Sequence, residues 1–335
     1  MNDTQAVSAR TPLIHIGMPK TATKTLQWRL FALHSEVYYL GRFDGGSFRA
    51  EHRQHRACRD AEVLEVMARI AYDNIFEPDM DACRNRMRDY LREHNPEAKL
   101  PVWSWESYCT DSYTMRAQRV KNLQQLFGEA RILVTIRQPV KLLESAYLQQ
   151  LKRDNIGARY RRGKSAFYCE IDDWVERDAH GDIDDHLDYA RTIRCYTEAF
   201  GVDNVCVTTF EQLLEDPEAF WGEICQFMGV DTAQALELVA ENEDNTRWSE
   251  IQLQRLQAIK RSPVKSLVYR FAQRSQRKQM LDLTRKGTPK TAAAKARPGI
   301  SPRLQREICE RTREGNLWLQ ETFGLDLENK GYMGT

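Results

Sequence analysis

No stretch of the 335 residues approaches the roughly 18 consecutive apolar side chains that a membrane-spanning helix needs. The first residues also lack an apolar run between a basic start and a small-residue cleavage site, so no secretion leader is expected. A cytoplasmic location is the resulting expectation. Cysteine pairs are missing too: Cys58, Cys83, Cys109, Cys169, Cys195, Cys206, Cys225 and Cys309 are scattered without any C-x-x-C spacing. A chain of this length does not need staples, so reduced thiols are expected and a zinc site is not. A large excess of one charge is absent as well, the net charge being +1.

What is present is a soluble, globular composition, 41% hydrophobic and 29% charged, long enough for one large α/β domain. The expected organisation is a single domain over 1–335, with a core at 11–230 and a helical extension at 231–335. The near-zero charge conceals an uneven distribution. Lys260 to Arg297 holds twelve Lys or Arg against the single acid Asp282, a local +11 that leaves −10 for the rest. Something anionic is expected near that segment.

The order of elements points to alternating strands and helices. "PLIHIG" reads as a buried strand, and "TKTLQWRLFAL" spaces Leu26, Leu30 and Leu33 as a helix would. Polar helical sequence follows from about Ala57 to His94, with Val63, Leu64, Met67, Ile70 and Ala71 as its buried stripe. The strand "LPVWSW" then leads to Glu106. A helix around Val120 to Phe127 precedes the strand "RILVTIR". Pro139 opens another helix, with Val140, Leu143, Tyr147 and Leu151 on one face. A helix over about Leu187 to Phe200 leads into the strand "NVCVTTF", and beyond Asp231 the pattern is helical. The predicted fold is therefore an α/β three-layer sandwich with a mostly parallel central sheet, a phosphate loop after its first strand and a C-terminal helical extension.

The loop is "IHIGMPKTATKTLQ", Ile14 to Gln27. A triphosphatase loop reads G-x-x-x-x-G-K-[ST]; counted from Gly17, Ala22 stands at the second glycine and Lys24-Thr25 arrive one residue late. A strand turning into a helix N-terminus still presents unpaired N–H groups and the positive end of the helix dipole, both suited to phosphate. Lys20 adds a charge, and Thr21, Thr23 and Thr25 add hydroxyl donors. The plain alternative is a connector with a solvated lysine. No apolar strand here ends in the aspartate that would hold Mg²⁺. Arg137 instead closes "RILVTIR" at the sheet edge where ligands of parallel α/β folds bind. Phosphate without a metal is the expectation.

"GMPKTATKTLQ" resembles the 5′-phosphosulfate loop of the sulfotransferases that use 3′-phosphoadenosine 5′-phosphosulfate (PAPS). "ILVTIRQPVKLLESAY" resembles their 3′-phosphate motif, and "NVCVTTFEQLLEDPEAFWGEICQFMGV" resembles a later strand-helix segment of the same family. The resemblance implies PAPS as donor. It also implies Lys20 at the bridging oxygen and 5′-phosphate, with the N–H groups of Thr21, Ala22, Thr23, Lys24 and Thr25 around that phosphate, and Arg137 with Ser145 at the 3′-phosphate. The family usually has glycine where Ala22 stands, a change compatible with the loop if the Ala22 φ is negative. "SWES" resembles the strand end that carries a glutamate base in bacterial and glycan-type members. On that likeness Glu106 is the catalytic base and the acceptor a hydroxyl on a carbohydrate or glycolipid. The alternative for Glu106 is a strand-end cap beside a lysine.

His15 reads as a satisfied core histidine. The acidic run around His180 and His186 lacks the order of a calcium loop and reads as solvated. "KRDNIGARYRRGKS", Lys152 to Ser165, would border the acceptor cleft, and "RKG" at Arg285 to Gly287 resembles a fragment of another 3′-phosphate motif. "PVKSLVYRFAQRSQRKQML" is a basic amphipathic helix suited to an anionic glycan, to a membrane surface touched peripherally, or to packing with a solvated face. No nucleic-acid partner is expected. Two other functions fit parts of the pattern: a P-loop kinase using Lys24-Thr25 with ATP and Mg²⁺, and a non-catalytic nucleotide- or glycan-binding module.

Overall fold

A computed structural model describes residues 9–41, 60–71, 79–110, 113–156, 168–178, 187–240, 249–281 and 296–334. Cys58, His180, His186, Arg285 to Gly287 and most of the 152–165 basic stretch lie outside these residues. The centre is a five-stranded, wholly parallel sheet: β1 (Leu13–His15), β2 (Val37–Gly41), β3 (Leu100–Ser104), β4 (Arg131–Ile136) and β5 (Val205–Thr209), in the order β2-β3-β1-β4-β5. Helices flank it, as expected for an α/β sandwich. β1, β3, β4 and β5 coincide with the apolar runs read from sequence. β2, "VYYLG", is an addition: Val37 to Leu40 are strand formers, but they sit between a helix and a long polar segment.

The β1 helix also differs from expectation. Thr23–Thr25 is α-helical, but Leu26–Phe31 is a π-helix. Because π hydrogen bonds skip to i+5, the buried face runs through Leu26, Leu30 and Phe31, whereas Leu33 is 40% exposed. The polar stretch before β3 forms two helices, Ala61–Ala71 and Met80–His94, with Val63, Met67 and Ile70 buried and Leu64 only partly so. After β5, Asp216 caps the helix Pro217–Met228 through the Ala219 N–H, Pro217 occupies its first turn, and Gly229 ends it with φ +67°. That helix lays Phe220, Trp221, Ile224, Cys225 and Met228 into a core shared with Leu13, Leu26, Leu30, Val102 and Leu133.

The chain divides into two compact units that alternate in sequence. The first comprises Met1–Gln138, Asp182–Asn242 and Cys309–Thr335, and contains the whole sheet. The second comprises Pro139–Gly181 and Glu243–Ile308. It is helical among the described residues and includes Pro139–Ile156, Ile171–Asp178, Glu250–Arg261, Pro263–Phe271 and Arg274–Leu281. Val140, Leu143, Tyr147 and Leu151 are all buried, as the sequence pattern implied. Within this unit Arg277 is fully buried, donates to the Asn155 and Arg270 carbonyls and lies 4.6 Å from the centre of the Tyr269 ring. None of the seven cysteines among the described residues forms a disulfide. No helix among them is long and apolar enough to cross a membrane.

Candidate active site

Three adjacent strands end on the same edge of the sheet. β1 pairs His15 with Ser104 of β3 on one side and with Leu133 of β4 on the other. The Trp105 N–H continues the ladder to the His15 carbonyl at 3.0 Å, and the Ile16 N–H donates to the Leu133 carbonyl at 3.0 Å. The loop from Ile16 to Ala22, Glu106 and Arg137 therefore leave neighbouring strands at their carboxyl ends, the place where open parallel sheets bind ligands.

Loop geometry explains the threonines. The hydroxyls of Thr21 and Thr23 both donate to the Met18 carbonyl, so they shape the turn. Lys20 and Ala22 have positive φ, +71° and +63°, with Thr21 between them. The alternation forms a nest of backbone N–H groups, a concavity that attracts anions. The N–H groups of Thr21, Ala22 and Thr23 have no acceptor among the described residues, while those of Thr25 and Leu26 return to the Ala22 carbonyl at 2.8 and 3.2 Å. The condition of a negative φ at Ala22 is not met: it caps the following helix in the left-handed region, with its carbonyl accepting two N–H groups.

Arg137 reaches this loop. Its Nη1 donates to the Lys20 carbonyl at 3.0 Å, its guanidinium lies 4.5 Å from the centre of the Phe210 ring, and its side chain is largely buried. The Tyr189 hydroxyl donates to the Arg137 carbonyl at 2.6 Å. Beside it, Glu211 accepts from the Gln138 N–H and, at 2.7 Å, from the Tyr332 hydroxyl, while Gln138 Nε2 donates to the Gly331 carbonyl. A segment from the far end of the chain thereby braces the end of β4.

Glu106 is partly exposed at the turn after β3, and its carbonyl accepts the Cys109 N–H at 3.1 Å. The turn is anchored by Trp103 Nε1, which donates to the Tyr108 hydroxyl at 3.0 Å, and by Arg116, which donates to the Cys109 carbonyl. Arg119 stacks 4.8 Å from the centre of the Trp105 ring. Burial, reinforced by the Glu106 charge and opposed by Arg116, pushes the Cys109 thiol well up. Lys20 and Lys24 are exposed and Thr25 is buried. Ser145 is buried in the helix Pro139–Ile156 of the second unit, one residue after Glu144, which pairs with Lys141 at 3.6 Å.

Below the loop lies a polar group that the sequence pattern only half revealed. His15 Nδ1 and Ser104 Oγ are 2.7 Å apart, and Gln27 Nε2 donates to the same oxygen at 2.9 Å. All three side chains are buried, and His15 Nε2 and Gln27 Oε1 have no partner among the described residues. Burial lowers the imidazole to about 3, so it is neutral at ordinary pH. A Cβ added to Gly17 would lie 2.3 Å from His15 Nε2, so the ring and the glycine fit only as a pair. A polar Gln27 on an otherwise apolar helix face was the available signal. His15 is the core residue expected, though only one of its nitrogens is satisfied.

A parallel sheet with an N–H nest after its first strand and an arginine closing the neighbouring strand defines a phosphate-loop α/β protein. A model of the sulfotransferase family matches residues 12–234, and the chain belongs to that family. Among solved structures, a sulfotransferase from Alicyclobacillus acidocaldarius is 14% identical with a TM-score of 0.51, over 96% of this chain and 98% of that one. The sulfotransferase domain of the Synechococcus PCC 7002 olefin synthase is 15% identical with a TM-score of 0.41, over 82% and 94%. Mouse sulfotransferase SULT7A1 complexed with PAP is 14% identical with a TM-score of 0.39, over 72% and 70%. A sequence search of curated proteins gives no match.

Ala22 and Gly17 make opposite predictions. Ala22→Gly is expected to raise stability by about 0.5–1 kcal/mol, the relief of left-handed strain less the added freedom of glycine in the unfolded chain. Gly17→Ala is expected to lower it by about 1–3 kcal/mol, because the new methyl must displace His15. Urea midpoints of both variants check the pair, and coincident midpoints would refute it. The neutral histidine adds a pH dependence. Unfolded, His15 takes a proton as pH falls through about 6.5; folded, it does so only near 3. Between those values the unfolded state binds more protons, so stability falls as pH falls. His15→Gln should flatten the slope of unfolding free energy against pH in that window, and an unchanged slope would contradict the assignment.

Proposed function

We propose that this sulfotransferase takes its sulfuryl group from PAPS and delivers it to a hydroxyl of a carbohydrate or glycolipid, with Glu106 as general base. The observation that carries the reading is the hydrogen bond from Arg137 Nη1 to the Lys20 carbonyl. It links the positive end of β4 to the phosphate nest after β1, at adjacent strand ends where a nucleotide kinase would need a metal-holding aspartate. A fork of N–H donors lets Arg137 serve both the loop and a phosphate oxygen. In this reading Arg137 and Ser145 hold the 3′-phosphate of the donor, while the nest from Thr21 to Thr25 and Lys20 hold its 5′-phosphosulfate.

The chemistry is an in-line transfer. The acceptor oxygen forms a bond to sulfur as its proton passes to the Glu106 carboxylate, and the bond from sulfur to the bridging oxygen breaks. The charge left on the 5′-phosphate is met by Lys20 and the loop N–H groups, which need no reorganisation at that moment. Glu106 follows β3 directly beside β1, and this adjacency supports it as the base. The glycan class of acceptor rests on the likeness of "SWES" to members that use glutamate.

Calorimetry and a labelled donor test the scheme. Adenosine 3′,5′-bisphosphate should bind without Mg²⁺ and much more tightly than ADP, and Arg137→Ala should erase most of that preference. Glu106→Gln should lower turnover by roughly 10²–10⁴-fold while leaving bisphosphate affinity nearly unchanged. Mg²⁺-dependent ADP or ATP binding indifferent to Arg137 would instead mark a kinase. Near-normal turnover by Glu106→Gln would remove the base assignment, and bisphosphate binding without transfer to any glycan, lipid or phenol would favour a binding module.

A further inference from the structure

The basic segment of the second unit does not bury its apolar stripe. In the helix Pro263–Phe271, Val264, Leu267, Val268 and Phe271 are 73%, 58%, 58% and 51% exposed, whereas Tyr269 on the opposite side is fully buried. At about 100° per residue the four exposed side chains fall within one arc of about 100°, with Lys265 and Arg270 flanking it. From Lys260 to Leu281 the sequence carries seven Lys or Arg and no acid. We infer that this face is a docking surface for an anionic lipid bilayer, with the four apolar side chains entering the boundary between headgroups and acyl chains and the flanking cations meeting lipid phosphates.

The helix is fixed in a pose that keeps the stripe outward. Ser262 caps it by accepting from the Lys265 N–H, and Pro263 occupies its first turn. Its inner side is held by Tyr269, whose ring lies 4.6 Å from the Arg277 guanidinium and 5.5 Å from the Lys260 amine. Arg277 Nη2 also donates to the Arg270 carbonyl at 2.8 Å. These cations crowd one another. Burial, followed by repulsion from Arg277 and Arg270, lowers the Lys260 amine to about 8, so an approaching anion would relieve it. Arg261 pairs with Glu170 at 3.3 Å.

Charge and apolar area together select the occupant. A polyanionic glycan or nucleic acid would use the cations but leave four large apolar side chains in water. A second copy would cover the stripe but bring together two segments that each carry seven Lys or Arg and no acid. An anionic bilayer satisfies both halves of the surface, as interfacial amphipathic helices do.

Cosedimentation of the full chain with vesicles is the test, comparing phosphatidylcholine alone with phosphatidylcholine mixed with phosphatidylglycerol at low and high salt. The protein should bind the mixed vesicles, lose much of that binding at high salt, and bind neutral vesicles weakly. The double variants Leu267→Asp with Phe271→Asp, and Lys265→Glu with Lys278→Glu, should each reduce partitioning on the order of tenfold or more. These side chains are exposed, so circular dichroism of the variants should match the parent. Absence of vesicle binding, equal binding to neutral vesicles, or binding unchanged in the apolar variant would overturn the inference. So would heparin binding that tracks the cations alone, or a dimer that dissociates when Leu267 and Phe271 are changed.

Discussion

The short strand β1 is the constraint on which the site depends. It has only three residues, Leu13 to His15, all fully buried, yet it pairs in parallel with β3 and β4 at once. The register brings Ser104 level with His15, so the chain leaving β3 meets the chain leaving β1 within two residues. It also sets the end of β4 beside the loop, where Arg137 reaches the Lys20 carbonyl. The meeting of these three strand ends is thus a property of strand alignment first and of individual side chains second.

Within that frame the loop is held under strain from two sides. Above, Lys20 and Ala22 are turned into the left-handed region so that their peptides serve the nest, the Arg137 contact and the helix start. Below, a neutral imidazole fills the space under Gly17. A protonated ring at this position would be a buried cation whose Nε2 has no acceptor among the described residues, and burial keeps it uncharged. The positive character of the site comes from Lys20, Arg137 and oriented N–H groups.

Much of this was legible in the residues. Runs such as "LPVWS" and "RILVTI" have the apolar continuity of strands buried on both faces, and they gave four of the five strands together with the groups at their ends. What escaped was information held between distant segments. The left-handed φ of Ala22 is a backbone property that an alanine side chain does not announce. The π-turn after it moves Phe31 inward in place of Leu33, because one widened turn shifts every later position around the axis. The sharing of Ser104 by His15 and Gln27 requires a strand register that a single sequence does not display. Amphipathic spacing from Val264 to Phe271 was plain, but periodicity says only that a helix has two faces, and here the apolar one points to solvent.

The brace on the end of β4 bears on the order in which the protein is made. Tyr332 and Gly331 reach Glu211 and Gln138 across separations of 121 and 193 residues. All five strands have been synthesised by residue 209, so a growing chain can assemble the sheet and its three strand ends while more than a third of its length is still missing. The Gln138 N–H is held by Glu211 and the Arg137 carbonyl by Tyr189 before Gly331 and Tyr332 add their bonds to Gln138 and Glu211. The end of β4 is therefore outlined by contacts made early in the chain and braced further by contacts made late in it.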